Sequence, residues 1–150
     1  MQLVEMQDGP ASLTVMVQRD VADRFVAVPG TAAYGSLSVA VQYAMHVTIA
    51  FTLGPSAFRP APKVSSAVVQ MRRLQTPAAQ PRDVARFRQV VRAAFAYRRK
   101  TLANSLALAL HVDRRSIEDA LRSAGIPMEQ RGERLDLADF ARLADALAER

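Results

Sequence analysis

Apolar and polar positions change period part-way along this chain. Leu3 to Met6 reads as the tail of a helix, stopped by Asp8-Gly9-Pro10. Ser12 to Gln18 (SLTVMVQ) is an apolar, partly β-branched run and predicts a strand buried on both faces, as central parallel strands are. Asp20 to Val28 predicts a helix closed by Pro29-Gly30, and a second helix runs from about Ser36 to His46, with His46 as a helix-end cap. Val47 to Leu53 (VTIAFTL) is a strand punctuated by Gly54-Pro55, and Ser66 to Arg72 is a third. Strand-helix-helix-strand-strand is not a self-sufficient sheet; it reads as the last part of an α/β domain.

Gln75 to Pro81 (QTPAAQP) is a linker by composition, and all that follows has helical period. From Arg82 to about Leu110, Val84, Phe87, Val91, Ala94, Phe95 and Leu102 fall on one stripe at 100° per residue, with Arg88, Arg92 and Arg99 together beside it. Arg98 falls inside the stripe, where an unpaired guanidinium is not tolerated. Either the helix shifts phase near Tyr97 or Arg98 is paired; a break or a new helix is expected near Arg98 to Thr101. Ser116-Ile-Glu-Asp119 resembles a capping box and Gly125 ends that helix. Asp136 caps the last helix, whose Leu137, Phe140, Leu143, Ala144 and Leu147 face a core.

Between the two patterns lies Phe58-Arg-Pro-Ala-Pro-Lys63-Val-Ser-Ser-Ala-Val-Val69. Proline fixes φ and biases the preceding residue toward extended backbone. The segment is a stiff arm that presents Phe58 and Arg59 at a set place. An aromatic at the tip of a stiff loop suits stacking on a nucleobase; a Phe that plugs the core is the other reading.

Charge sharpens the picture. Residues 59 to 100 hold eleven basic residues and one acid, Asp83, so that stretch is +10 within a net charge of +6. A block this one-sided points to a polyanion, although a solvated charged face has the same composition. The chain has no cysteine, which removes disulfides and thiolate metal sites, and His46 and His111 lack carboxylates at ligand spacing. No apolar run approaches a membrane span, and the first residues lack a signal-peptide pattern. A cytoplasmic protein with no metal and no membrane partner is the expectation.

Four ordered blocks carry a family resemblance over nearly all of the chain. The arm resembles the F-x-P-x-P-K-V-x-S-A-V-V stretch of the ribosomal RNA adenine N6,N6-dimethyltransferases. Met16-Val-Gln18-Arg-Asp20-Val-Ala22-Asp-Arg24 is similar to their M-x-Q-[KR]-[ED]-V-A-x-R, followed in order by Pro29-Gly30, Tyr34-Gly35-Ser-Leu37-Ser38-Val39 and Gln42. Phe95-Ala-Tyr-Arg98-Arg99-Lys100-Thr101-Leu102-Ala-Asn104 is similar to F-x-x-R-R-K-T-L-x-N, and Arg131-Gly-Glu133-Arg-Leu135 with Phe140-Ala-Arg-Leu143-Ala144 to the closing helix. Pro29-Gly30, the Tyr34 block and the Arg98 block favour the small-subunit group over its large-subunit sister group.

The resemblance implies an α/β remnant of a Rossmann-like methyltransferase domain over residues 1–74, a linker at 75–81 and a small all-α RNA-binding domain over 82–150. It implies S-adenosylmethionine as cofactor of the intact enzyme, and small-subunit rRNA, in the assembling 30S subunit, as partner. The target adenosines then lie in a hairpin loop near the rRNA 3′ end. It also implies that no catalytic or cofactor-binding residue is in this chain: no G-x-G and no Asn-x-Pro-Tyr occurs, and the glycines at 9, 30, 35, 54, 125 and 132 form no close pair. The chain reads as the C-terminal portion, inactive alone.

By the same resemblance, Phe58 stacks on the target adenine, held by Pro60 and Pro62, and Arg59, Lys63, Arg88, Arg92, Arg98, Arg99 and Lys100 contact RNA. Lys63 as a strand-edge gatekeeper, Arg98-Arg99-Lys100 as salt-bridging groups, and Phe95 and Tyr97 as core and core-edge residues are the structural readings beside these. Tyr34-Gly35 serves a turn that lets the next helix pack. Ala61, Ala103 and Ser105 depart from the family pattern, and Gly132 interrupts the approach to the final helix. The alternatives to an enzyme part are a stand-alone RNA- or ribosome-binding module and, last, a helix-turn-helix DNA binder from Asp113 to Leu147, disfavoured by its acidic final helix.

Overall fold

The computed structural model of the protein describes residues 9–148, so the expected helix tail at Leu3 to Met6 lies outside the described residues. Two compact units divide the chain. One holds the described residues up to Val28 with Ala32–Ala78; the other holds Pro29–Thr31 and the described residues from Ala79 onward.

The first unit is mixed α/β. Strands β1 (Ser12–Gln18), β2 (Met45–Leu53) and β3 (Ser66–Arg73) form a sheet in the order β1-β3-β2, with helices α1 (Arg19–Val26) and α2 (Ser36–Ala44) between β1 and β2. Both pairings are antiparallel: Ser12 lies opposite Arg72 and Gln18 opposite Ser66, while Met45 lies opposite Arg73 and Leu53 opposite Ser66. One face packs Leu13, Val15, Val17, Ala67, Val69, Met71, Val47 and Ile49 with Ala22, Phe25 and Val41 of the two helices.

β1 pairs antiparallel with β3 and, among the described strands, with no other. It is an edge of this three-stranded sheet, and its side chains alternate, with Met16 55% exposed. The run S-L-T-V-M-V-Q has period two, and Met16 stands at an outward position. His46 is not a helix-end cap: α2 stops at Ala44 and His46 is an exposed residue of β2 opposite Arg72. The residue that does end a helix is His111, in the left-handed region (φ 55°) after α4 (Leu102–Leu110).

The block Tyr34 to Gln42 owes its pattern to α1. Tyr34 is buried, and the Gly35 N–H donates to Ser38 Oγ, which donates to the Arg24 carbonyl at 2.6 Å. One turn on, Gln42 Nε2 donates to the carbonyls of Phe25 and Ala27, both at 2.8 Å. Two side chains at i and i+4 thus satisfy carbonyls that the end of α1 leaves without helical partners. Gln42→Leu keeps the volume and removes both donors. It is expected to cost about 1–3 kcal/mol, read as a lower urea midpoint with unchanged slope. An unchanged midpoint would show that these carbonyls do not depend on Gln42.

The second unit's described elements are α3 (Val84–Ala96), α4, α5 (Arg114–Ser123), a 3-10 turn at Gly132–Arg134 and α6 (Leu137–Ala148). Phe87, Val91, Leu102, Leu106, Ile117, Leu121, Leu135, Phe140 and Leu143 form its interior. Of the expected stripe, Val84 is exposed and Phe95 half-buried, its ring centroid 5.8 Å from that of Phe140. Asp83 caps α3 by accepting from the N–H groups of Ala85 and Arg86. The helix pattern breaks between Ala96 and Leu102, where Arg98 fell on the apolar stripe.

The cap of α5 is Asp113, not Ser116; Asp113 Oδ2 accepts from the Arg115 N–H, and Ser116 sits inside the first turn. Gly125 follows that helix at φ +70°. Asp136 and Asp139 cap α6 reciprocally, each backbone N–H donating to the other's carboxylate. Gly132 does not interrupt packing but permits it: a Cβ there would lie 2.9 Å from the Ala94 carbonyl oxygen. Gly30, at φ +88°, donates its N–H to the Glu133 carbonyl at 2.7 Å, so the Pro29-Gly30 turn belongs to this unit.

Candidate nucleic-acid interface

The arm of the first unit leaves β2 through a 3-10 turn at Pro55–Ala57. The Ala57 N–H bonds the Gly54 carbonyl at 3.1 Å, and the Phe58 N–H bonds the Pro55 carbonyl at 3.2 Å. Phe58 has extended backbone and is half-buried, outside the buried core. The Arg59–Pro60 peptide is cis, and Arg59 to Val64 are exposed, including Pro60, Pro62 and Lys63. At the far end the Ser65 carbonyl accepts from the Arg19 N–H at 2.9 Å, which fixes the arm to the start of α1. Lys63 precedes β3, and β3 is the middle strand, so Lys63 is not a strand-edge gatekeeper.

The eleven basic residues sort into different roles. Arg73 Nε donates to the Pro10 carbonyl, and Arg86 donates to Gln89 and to the Leu147 carbonyl, so both are engaged within the fold. Arg72 is exposed on the outer face of β3. On α3, Arg88 is half-buried and Arg92 exposed, one turn apart. Arg99 does not share their helix face, because α3 ends at Ala96.

Arg98, Arg99 and Lys100 form an exposed turn instead. It is braced from within: the Lys100 N–H bonds the Tyr97 carbonyl at 2.9 Å, and the Tyr97 N–H donates to Ser105 Oγ at 3.3 Å. The buried Ser105 hydroxyl donates to the Ala93 carbonyl at 2.7 Å, and the Leu102 N–H bonds the Gln130 carbonyl at 2.7 Å. Ser105 therefore holds the turn from behind, and Ala103 is buried in the same helix. Among the described ion pairs none takes Arg99 or Lys100. Tyr97, expected at the edge of the core, is 45% exposed where the chain leaves the helix. Sequence reasoning missed that exposure and the Ser105 brace; the only cue was the aromatic beside three cations.

A shallow cavity of about 220 Å³ lies on the outer face of the sheet, lined by Ser12, Thr14, His46, Thr48, Gln70 and Arg72 among others. It does not fit S-adenosylmethionine. No carboxylate lines it, and Arg72 repels a sulfonium cation. Among the described residues no group of three or more His, Asp or Glu is placed to hold a metal, and no helix is long and apolar enough to cross a membrane.

Residues 1–149 match the family described as ribosomal RNA adenine dimethylase. The chain belongs to that family. A relative named ribosomal RNA small subunit methyltransferase A, from Streptococcus mutans, is 47% identical over 152 residues, 99% of this chain and 52% of the relative. One of the same name from Listeria innocua is 43% identical over 141 residues, 92% of this chain and 48% of the relative. This dimethylase-family chain thus spans about half the length of the curated relatives it matches. A crystal structure of a dimethyladenosine transferase from Plasmodium falciparum superposes with TM-score 0.75 at 21% identity, over 95% of this chain and 58% of that one. A 23S rRNA methyltransferase superposes with TM-score 0.59 at 23% identity, over 94% and 57%. At these identities the likeness is one of mixed α/β fold.

Proposed function

We propose that this chain is the RNA-engaging part of an S-adenosylmethionine-dependent adenine N6,N6-dimethyltransferase acting on adenosines near the 3′ end of small-subunit rRNA. The observation that carries the reading is the exposed Arg98-Arg99-Lys100 turn, held by Ser105 and by the Gln130 carbonyl. Three consecutive cations on a fixed backbone suit the phosphates of a structured RNA. Family membership and the small-subunit names of the relatives support rRNA as that polyanion and adenine as the base.

Within this reading the two parts differ in task. Residues 82–150 grip the RNA backbone through Arg88, Arg92 and the basic turn. Residues 1–74 contribute the arm, on which Phe58 meets the target adenine once it leaves its stack. Pro60 and Pro62 stiffen the arm, and Arg59 and Lys63 take nearby phosphates. The methyl donor and the N6 amine are held by groups that this chain does not contain, so the chain alone binds RNA and does not methylate. The intact enzyme works in the cytoplasm on the assembling 30S subunit.

The test is a titration of the chain with a labelled RNA hairpin carrying the 3′-terminal small-subunit stem-loop, at several salt concentrations. Four to seven phosphate contacts give a log–log slope of roughly −3 to −5, at about 0.7 per phosphate. A slope near zero would overturn the RNA reading. Calorimetric titration with S-adenosylmethionine is expected to give no saturable one-site isotherm, and such an isotherm would overturn the division of labour.

A further inference from the structure

The basic turn also carries an aromatic ring that RNA-backbone contacts leave unused. The unit's other large aromatics pack inward: Phe87 is 2% and Phe140 0% exposed, and Phe95 lies against Phe140. Tyr97 does not, at 45% exposed. Its backbone has left helical geometry (φ −124°, ψ 79°) at the C-terminal end of α3. Its N–H is held by Ser105 Oγ and its carbonyl by the Lys100 N–H, so both polar backbone groups are pinned. The ring is thus borne on a fixed backbone, next in sequence to three exposed cations.

Neighbouring cations and an exposed ring match the two halves of a nucleotide. The cations take phosphate oxygens and the ring takes the flat face of a base. A base inside a duplex already has both faces covered, so only an unpaired nucleotide offers one. We propose that Tyr97 is a stacking platform for an unpaired nucleobase of the strand whose phosphates Arg98, Arg99 and Lys100 hold. This rests on the reading of that turn as an RNA-binding element and adds that the turn selects single-stranded over paired RNA.

The experiment compares binding of the whole chain to a single-stranded oligoadenylate and to a perfectly paired RNA duplex of the same length. Tyr97→Ala is expected to weaken oligoadenylate binding on the order of tenfold, with duplex binding and salt slope unchanged, and Tyr97→Phe to stay within about twofold of the parent. The chain contains no tryptophan, so Tyr97→Trp introduces a single reporter whose emission is expected to be quenched by oligoadenylate and not by duplex. Equal weakening on both RNAs, no weakening, or an unquenched reporter would each overturn the proposal. A triple Arg98→Gln, Arg99→Gln, Lys100→Gln variant separates the two levels. If it binds like the parent, the RNA-binding turn is wrong and stacking falls with it; if it loses affinity while Tyr97→Ala does not, stacking alone is wrong.

Discussion

Replacing Arg98, Arg99 and Lys100 together by glutamine is expected to lower RNA affinity on the order of 100-fold at 0.1 M salt, with the deficit closing toward 1 M. Each neutralised phosphate contributes about 0.7 to the log–log salt slope, so losing three removes about two units of slope and about two decades of affinity at 0.1 M. Glutamine retains length and polarity, so the loss is one of charge. The turn should survive, because backbone N–H groups donate to Ser105 Oγ, the Tyr97 carbonyl and the Gln130 carbonyl and so hold its backbone. Fluorescence anisotropy over a salt series reads both quantities. An unchanged slope would place the RNA on another surface. Arg73 and Arg86 make a weak alternative, since both guanidinium groups are engaged by carbonyls within the fold.

The basic turn was legible in outline because it broke a pattern. Arg98 fell on an apolar stripe, where a guanidinium is not buried unpaired, so the pattern called for either a break or a partner, and the helix ends at Ala96. What holds the turn was not legible. Ser105 looked like the loss of a polar contact residue, yet its hydroxyl bridges Ala93 and Tyr97, a role that depends on where α3 and α4 meet. Gly132 looked like an interruption for the same reason: its value lies in the Ala94 carbonyl beside it, from a distant part of the chain.

The sheet shows the complementary limit. Strand positions followed from composition, but facing did not. A register irregularity between Ile49 and Phe51 puts Phe51 opposite Val68, a neighbour of Met16, and leaves it 54% exposed, where plain alternation from Ile49 would turn it inward. An apolar residue at an outward position makes an alternating strand read as one buried on both faces. The same ambiguity touched Phe58, whose place depends on the turn behind it and the strand ahead.

In a complete enzyme carrying this segment, Phe58→Ala is expected to lower the adenine methylation rate by about 10²-fold while RNA affinity changes by less than about threefold. The asymmetry follows from where each energy resides. Phosphate contacts carry the affinity, and Phe58 is an uncharged ring at the base of an arm that both ends hold in place. Base stacking contributes about 1–3 kcal/mol, and a reacting amine displaced by about 1 Å loses about two decades of rate. Phe58→Trp keeps a stacking face and should retain most of the rate. Single-turnover methylation and equilibrium binding, measured on the same variants, separate the two effects. If both fell together after Phe58→Ala, the arm would be part of the docking surface rather than the element that steadies the flipped base. If neither fell, the ring would be no more than packing for the strand that follows it.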